Sequence, residues 1–161
     1  MEPRINPMAN PVGGKIAKRF YGINLLIEES SLPKSIQELV SLRASQINGC
    51  AACIDMHTKE AVAAGETPLR LYQVAAWRES AVFTEAERAA LALTEEGTRL
   101  ADAHGGVSDE VWERAAKHFD EDQLIVLVSL ISMINAANRL NVMLGVKGGS
   151  YDPSMRKALE N

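Results

Sequence analysis

The chain has 161 residues, 47% of them hydrophobic and 24% charged, with a formal net charge of -4 at neutral pH. This length can bury a sizeable single core without staples, and the composition excludes wholesale disorder. An acidic chain with no clustered excess of Lys and Arg is poorly suited to a phosphate backbone, so no nucleic-acid partner is expected.

Met1 to Pro11 carries three prolines and lacks the charged head and apolar stretch of a secretory signal, so residues 1–14 read as an extended arm. A first helix is expected over Lys15 to Glu29. A second, opened by Ser35, places Ile36, Leu39, Val40, Ala44 and Ile47 on one stripe. Asn48-Gly49 ends it, because both residues accept left-handed backbone. Cys50 then begins a third helix running to about Ala64, where Gly65 stops it. Thr67-Pro68 supplies an N-cap and a first-turn proline for a helix to about Glu79.

Thr84 and Glu87 form a capping box ahead of a stripe of Ala86, Ala89, Ala90, Leu93 and Leu100. After the Gly105-Gly106 break, Ser108 caps a short helix through His118. Asp120 or Asp122 opens a long apolar helix to about Leu144, and 145–161 reads as a weakly ordered tail. With no alternating strand pattern, internal repeat or linker, the expectation is a single all-α domain over 1–161, a bundle of six to seven helices.

The most apolar run, Leu124 to Ile134, is interrupted by Ser129 and Ser132 and falls short of the roughly 20 apolar residues that span a bilayer. It reads as a core helix, buried on nearly all sides by its own neighbours or by another subunit, and no membrane partner is expected. Tyr72, Trp77 and Trp112 read as core residues. His104 and His118 have no partner by spacing and read as structural. Without an export signal a cytoplasmic placement is expected, where two cysteines three residues apart point to redox or metal chemistry.

At about 100° per residue, Cys50, Cys53 and His57 fall within roughly 60° of arc on one helix face. Asp55 and Lys59 lie opposite, as an i,i+4 pair of the solvated kind, so the cysteine face points inward. A free thiol with pKa about 8.5 needs help to ionise. Cys50 receives it from the helix N-terminus, and His57 stands one turn beyond Cys53 as a local base. A sulfenic acid on Cys53 would condense with Cys50 to a disulfide. Zinc sites of the ribbon type use two such cysteine pairs, whereas this chain has 2 cysteines and 3 histidines in all. Two inert buried cysteines are the remaining reading, and neither alternative explains the aligned histidine.

The stretch Glu38 to His57, with Glu38, then Cys50, Cys53 and His57, resembles the active-site signature of the alkylhydroperoxidase AhpD family within the carboxymuconolactone decarboxylase-like fold. The similarity continues through Ala64-Gly65-Glu66-Thr67 and Ala75-Ala76-Trp77-Arg78-Glu79, giving a best-matched core of about 35–87. The resemblance implies an AhpD-like all-α fold, assembly into dimers, trimers or hexamers, and reduction of a hydroperoxide substrate. It puts the attack on Cys53, resolution on Cys50, the proton relay on His57, and the orienting carboxylate on Glu38. It implies no bound cofactor or metal and an external dithiol donor, from lipoyl groups on carrier proteins to small dithiols.

Spacing gives Glu38 a second role, since Ser35-Ile36-Gln37-Glu38 also fits a capping box. The better-known family members carry a histidine between the cysteines, where Ala52 stands here. A decarboxylase using His57 without the thiols, and a redox sensor or binder switched by the Cys50–Cys53 disulfide, are the other readings of the chain.

Overall fold

The computed structural model describes residues 2–102 and 105–154. Among these residues seven α-helices and one 3-10 helix follow in order: α1 Pro11–Glu28, α2 Lys34–Asn48, α3 Ala51–Ala63, α4 Pro68–Gln73, the 3-10 helix Val74–Glu79, α5 Glu85–Thr98, α6 Asp109–Ala116 and α7 Glu121–Leu144. No strand occurs among the described residues. His104 and residues 155–161 of the expected tail lie outside them.

The first helix starts four residues before its expected position. Asn10 is the N-cap, its side chain accepting from the amides of Val12 and Gly13, and Pro11 occupies the first turn. Gly13 suits this entry because a Cβ there would overlap the Pro7 carbonyl. The arm is therefore short, and it is tied down: Arg4 donates from its amide to the Leu144 carbonyl at 2.8 Å and from its guanidinium to the Met143 carbonyl at 2.7 Å. These bonds satisfy carbonyls at the end of α7.

The segment expected as one helix over 68–79 changes winding at Val74. With three residues per turn, a 3-10 helix stacks Val74 over Trp77, and both are buried beside Leu71. Arg88 collects the Trp77, Arg78 and Ser80 carbonyls where this turn ends. Trp77 is core, but Tyr72 is 76% exposed and Trp112 43%, contrary to expectation; each lies on the outer side of a short helix. Leu100 falls beyond the end of α5 and is exposed, and α6 ends before His118, which sits on the surface.

Within the chain the helix buried all round is α2, while α7 is covered only in part by its own neighbours. Residues 36–42, 44 and 45 are all buried, and α2 packs against α3, α5 and α7. The reason is that its polar side chains find partners inside: Gln37 donates to the Ile27 and Leu32 carbonyls, and Ser45 to the Ser41 carbonyl. The long α7 is apolar and long enough to cross a membrane by length and composition, yet only 33% of its most apolar window is buried within the chain. Its inner face supplies Leu127, Leu130, Ile131, Ile134, Asn135 and Asn138.

Residues 145–154 of the expected tail pack back onto the bundle. Past Gly145, which ends α7 in the left-handed conformation (φ 71°), the chain crosses to α3. There the amides of Gly149 and Tyr151 donate to the Asp55 carboxylate at 2.6 and 3.0 Å, and Lys59 donates to the Tyr151 carbonyl at 2.7 Å. The Tyr151 hydroxyl bonds to Glu60. Asp55 and Lys59 form the expected pair at 2.8 Å, but it anchors this strap instead of facing water. Gly148 lies so close to the first turn of α3 that a Cβ would overlap the Ala51 carbonyl.

Glu95 on α5 ties the other end of the bundle, accepting from Arg43, Arg78 and the Trp77 indole. Burial pushes its carboxyl up, but these hydrogen bonds and the Arg43 charge outweigh it and bring the pKa down to about 2. A carboxylate lowered in the folded state stabilises fully above its ordinary value of 4.5, and the contribution is lost as pH falls toward about 2. Glu95→Gln should therefore cost about 2–3 kcal/mol at neutral pH in urea unfolding. The gap from wild type should narrow between those two pH values; a gap independent of pH contradicts the account. For the strap, Gly148→Val should cost about 1–2 kcal/mol locally and accelerate hydrogen exchange at the Tyr151 amide, an effect that unchanged exchange would refute.

Candidate active site

The turn between α2 and α3 builds the dithiol. Gly49 adopts the left-handed conformation (φ 66°) that ends α2, and the Cys50 amide bonds back to the Ser45 carbonyl at 3.0 Å. This leaves Cys50 as the N-cap of α3, where its sulfur accepts from the Cys53 amide at 3.3 Å. The sulfur thus takes the place a Ser or Asp oxygen fills at other N-caps, facing unpaired amides that favour negative charge.

Cys50 and Cys53 are joined as a disulfide, with their Cα atoms 5.3 Å apart. Both are buried, at 1% and 2% exposure, in a small cluster with Ala44 and Ile134, and Ala52 packs against it. The position between the cysteines is thus filled by a small apolar contact and carries no ionisable group.

His57 and Glu38, nineteen residues apart, meet across the α2–α3 interface: Nδ1 and Oε2 lie 2.9 Å apart. Helix α2 begins with Pro33 as N-cap and without a side-chain cap, so the capping box expected at Ser35 does not form and the Glu38 carboxylate faces the histidine. The other oxygen, Oε1, pairs with Lys34 at 2.9 Å. Burial pushes the Glu38 carboxyl up, but the hydrogen bond and charge of His57, with Lys34 behind them, prevail and hold it below the ordinary value. An ionised Glu38 can only accept, so Nδ1 carries a proton in either state of the ring, and whenever the ring is neutral its lone pair sits on Nε2. Among the described residues, Nε2 is the buried side-chain nitrogen or oxygen that has no hydrogen-bond partner.

The four residues singled out from the sequence form two pairs, the Cys50–Cys53 disulfide and the His57–Glu38 hydrogen bond, joined through α3, where His57 stands one turn beyond Cys53. Two more join them. Asn141 on α7 donates to the Cys53 sulfur at 3.4 Å, and Lys34 holds the far side of Glu38. Asn141 continues a ladder of asparagines three residues apart. Asn135 and Asn138 accept from Asn48, both at 2.9 Å, and Asn138 donates to Ser45. Polar residues at every third position of an otherwise apolar helix are the signal that could have marked this face. Each sulfur therefore has one N–H donor, an arrangement suited to stabilising thiolate.

Comparison with known proteins identifies the family. The carboxymuconolactone decarboxylase family model matches residues 16–96. The uncharacterized protein YdfG of Bacillus subtilis is 41% identical over 123 residues, covering 76% of this chain and 82% of that one. Among solved structures, an Agrobacterium tumefaciens protein of unknown function, provisionally an AhpD antioxidant defence protein, superposes with a TM-score of 0.85 at 32% identity, covering 93% of this chain and 100% of the other. The debrominase Bmp8, solved with 2,3,4-tribromopyrrole, shares the fold with a TM-score of 0.76 at 20% identity over 91% of this chain and 75% of its own. With a family match over half its length, a close relative across most of it and an AhpD-like arrangement of helices, the chain belongs to the carboxymuconolactone decarboxylase family.

Proposed function

We propose that the protein is a dithiol-dependent hydroperoxide reductase. The observation that carries this reading is the His57 ring: Nδ1 is held by Glu38, while Nε2, buried without a hydrogen-bond partner, belongs to a residue one turn from Cys53. In the reduced protein Nε2 accepts the Cys53 thiol proton. The thiolate attacks the terminal peroxide oxygen, the O–O bond breaks, and the alcohol leaves after taking up a proton, giving a sulfenic acid on Cys53. Cys50 sulfur then attacks the Cys53 sulfur, the S–O bond breaks, water leaves and the disulfide forms.

Two electrons have passed from the thiol pair to the peroxide. An external dithiol, of lipoyl type or another small dithiol, returns them by thiol–disulfide exchange. Exchange at Cys50 expels Cys53 as the leaving thiolate, which the Asn141 donor on its sulfur supports. Assembly into a homo-oligomer is part of the proposal, supported by exposed Ile125, Val142 and Met143 on α7 and Val12, Ile16, Ile23 and Leu26 on α1. Sedimentation returning a single chain mass would remove that part.

The test is turnover of an alkyl hydroperoxide with dihydrolipoamide or dithiothreitol as donor. Cys53→Ser should reduce it to background, Cys50→Ser should stop the cycle after one turnover with the sulfenic acid trapped, and His57→Gln should slow it about 100-fold. Activity surviving Cys53→Ser would overturn the reading. Turnover of a lactone acid by the double serine variant would favour decarboxylation instead.

A further inference from the structure

Lys34 is the first residue of α2, where the helix dipole presents its positive end, and neither an acidic side chain in the first turn nor a side-chain cap offsets it. A cation there opposes the helix it belongs to, so its position calls for a compensating partner. That partner is Glu38. Lys34 Nζ lies 2.9 Å from Oε1 while His57 Nδ1 lies 2.9 Å from Oε2, so the carboxylate is held at both oxygens. The Glu38 side chain is 7% exposed and the Lys34 side chain 40%, so the pair runs from the buried relay to the surface. A cleft of about 180 Å³ opens beside it, lined by Lys34, Ser35, Glu38, Ala61, Gly65 and Glu66.

We propose that Lys34 is a positioning residue of the proton relay: it keeps the Glu38 carboxylate ionised and turned toward His57, and the cleft beside it is where the relay exchanges protons with water. The proposal rests on the Cys53–His57–Glu38 relay described above. The proton leaving Cys53 is taken by His57 Nε2; the resulting imidazolium is stabilised by Glu38, which Lys34 prevents from taking a proton permanently. The charges around Glu38 are accounted for. Besides His57 and Lys34, Glu28 of α1 lies 3.8 Å from Lys34, Glu66 across the cleft is paired with Arg70 at 3.0 Å, and the Tyr151 hydroxyl is engaged by Glu60. Lys34 is thus the cation joined directly to the relay carboxylate.

Removing it leaves the site more negative, which disfavours a thiolate at Cys53. The experiment uses the Cys50→Ser protein, whose one remaining thiol is Cys53, and follows the rate of alkylation by iodoacetamide against pH. Lys34→Met should move the midpoint upward by about 0.5–1 pH unit, and Lys34→Arg should restore it. Lys59→Met, the same charge change on the face of α3 that binds the strap, should leave the midpoint in place.

An unmoved midpoint in Lys34→Met, or an equal movement in Lys59→Met, overturns the proposal. The alkylation assay contains no peroxide. A failure of hydroperoxide turnover in the wild type would therefore count against the proposed function alone, and an unmoved midpoint against Lys34 alone.

Discussion

A carboxylate buried inside a helical bundle is costly unless its charge and lone pairs are met by partners close at hand. Glu38 imposes this condition on the centre of the molecule. Its two oxygens are met from opposite sides, by His57 of α3 and by Lys34 one turn back on its own helix. The His57 contact fixes the rotation of α3 against α2, and that rotation turns Cys53 inward. The same bond holds a proton on Nδ1 and leaves Nε2 for the base role proposed for His57. Packing and register at the site depend on this one buried carboxylate.

The remainder of α2 obeys the same rule with neutral groups. Gln37 closes the α1–α2 turn through two backbone carbonyls, and Ser45 links the Cys50 amide region to Asn138 of α7. Because these polar atoms are satisfied, a helix of middling hydropathy can occupy the centre, while the more apolar α7 lies partly outside with an apolar face open. A burial order read from hydropathy alone is reversed by hydrogen bonding, since a polar group with a buried partner loses little on leaving water.

The disulfide sits in a wall built from three elements. α2 supplies the floor at Ala44 and Ser45, α7 supplies Ile134 and the Asn141 donor, and the strap beyond α7 holds α3 from its outer side through Asp55. The strap continues directly from α7, so it links the two helices that flank the sulfurs. Gly148 makes this possible by allowing backbone to lie against backbone at Ala51. An N-cap cysteine and a donor on the second sulfur place both thiols where the anion is favoured, although the site is closed to water in the disulfide form.

Local signals in the chain were enough to read the helices, most of their caps and the alignment of Cys50, Cys53 and His57, because helical period, capping residues and left-handed glycines act within a few neighbouring residues. The Asn10-Pro11 start obeys the same local rule and was masked by the prolines and glycines around it. The exposure of Tyr72 and Trp112, the winding change at Val74, the strap on Asp55 and the burial of α2 depend on what packs against each element.

The contacts of Glu38, Lys34 and Asn141 belong to that second group as well. Spacing left Glu38 between a cap and a relay, since both uses need only a carboxylate on the first turns of α2. Bringing α3 beside α2 gave the carboxylate an imidazole partner and left the helix start without a side-chain cap, which supports the proposed relay. The sequence by itself determined which side chains can share a helix face; only the tertiary structure decided which distant groups meet, because a buried charge or donor must find its partner wherever the fold supplies one.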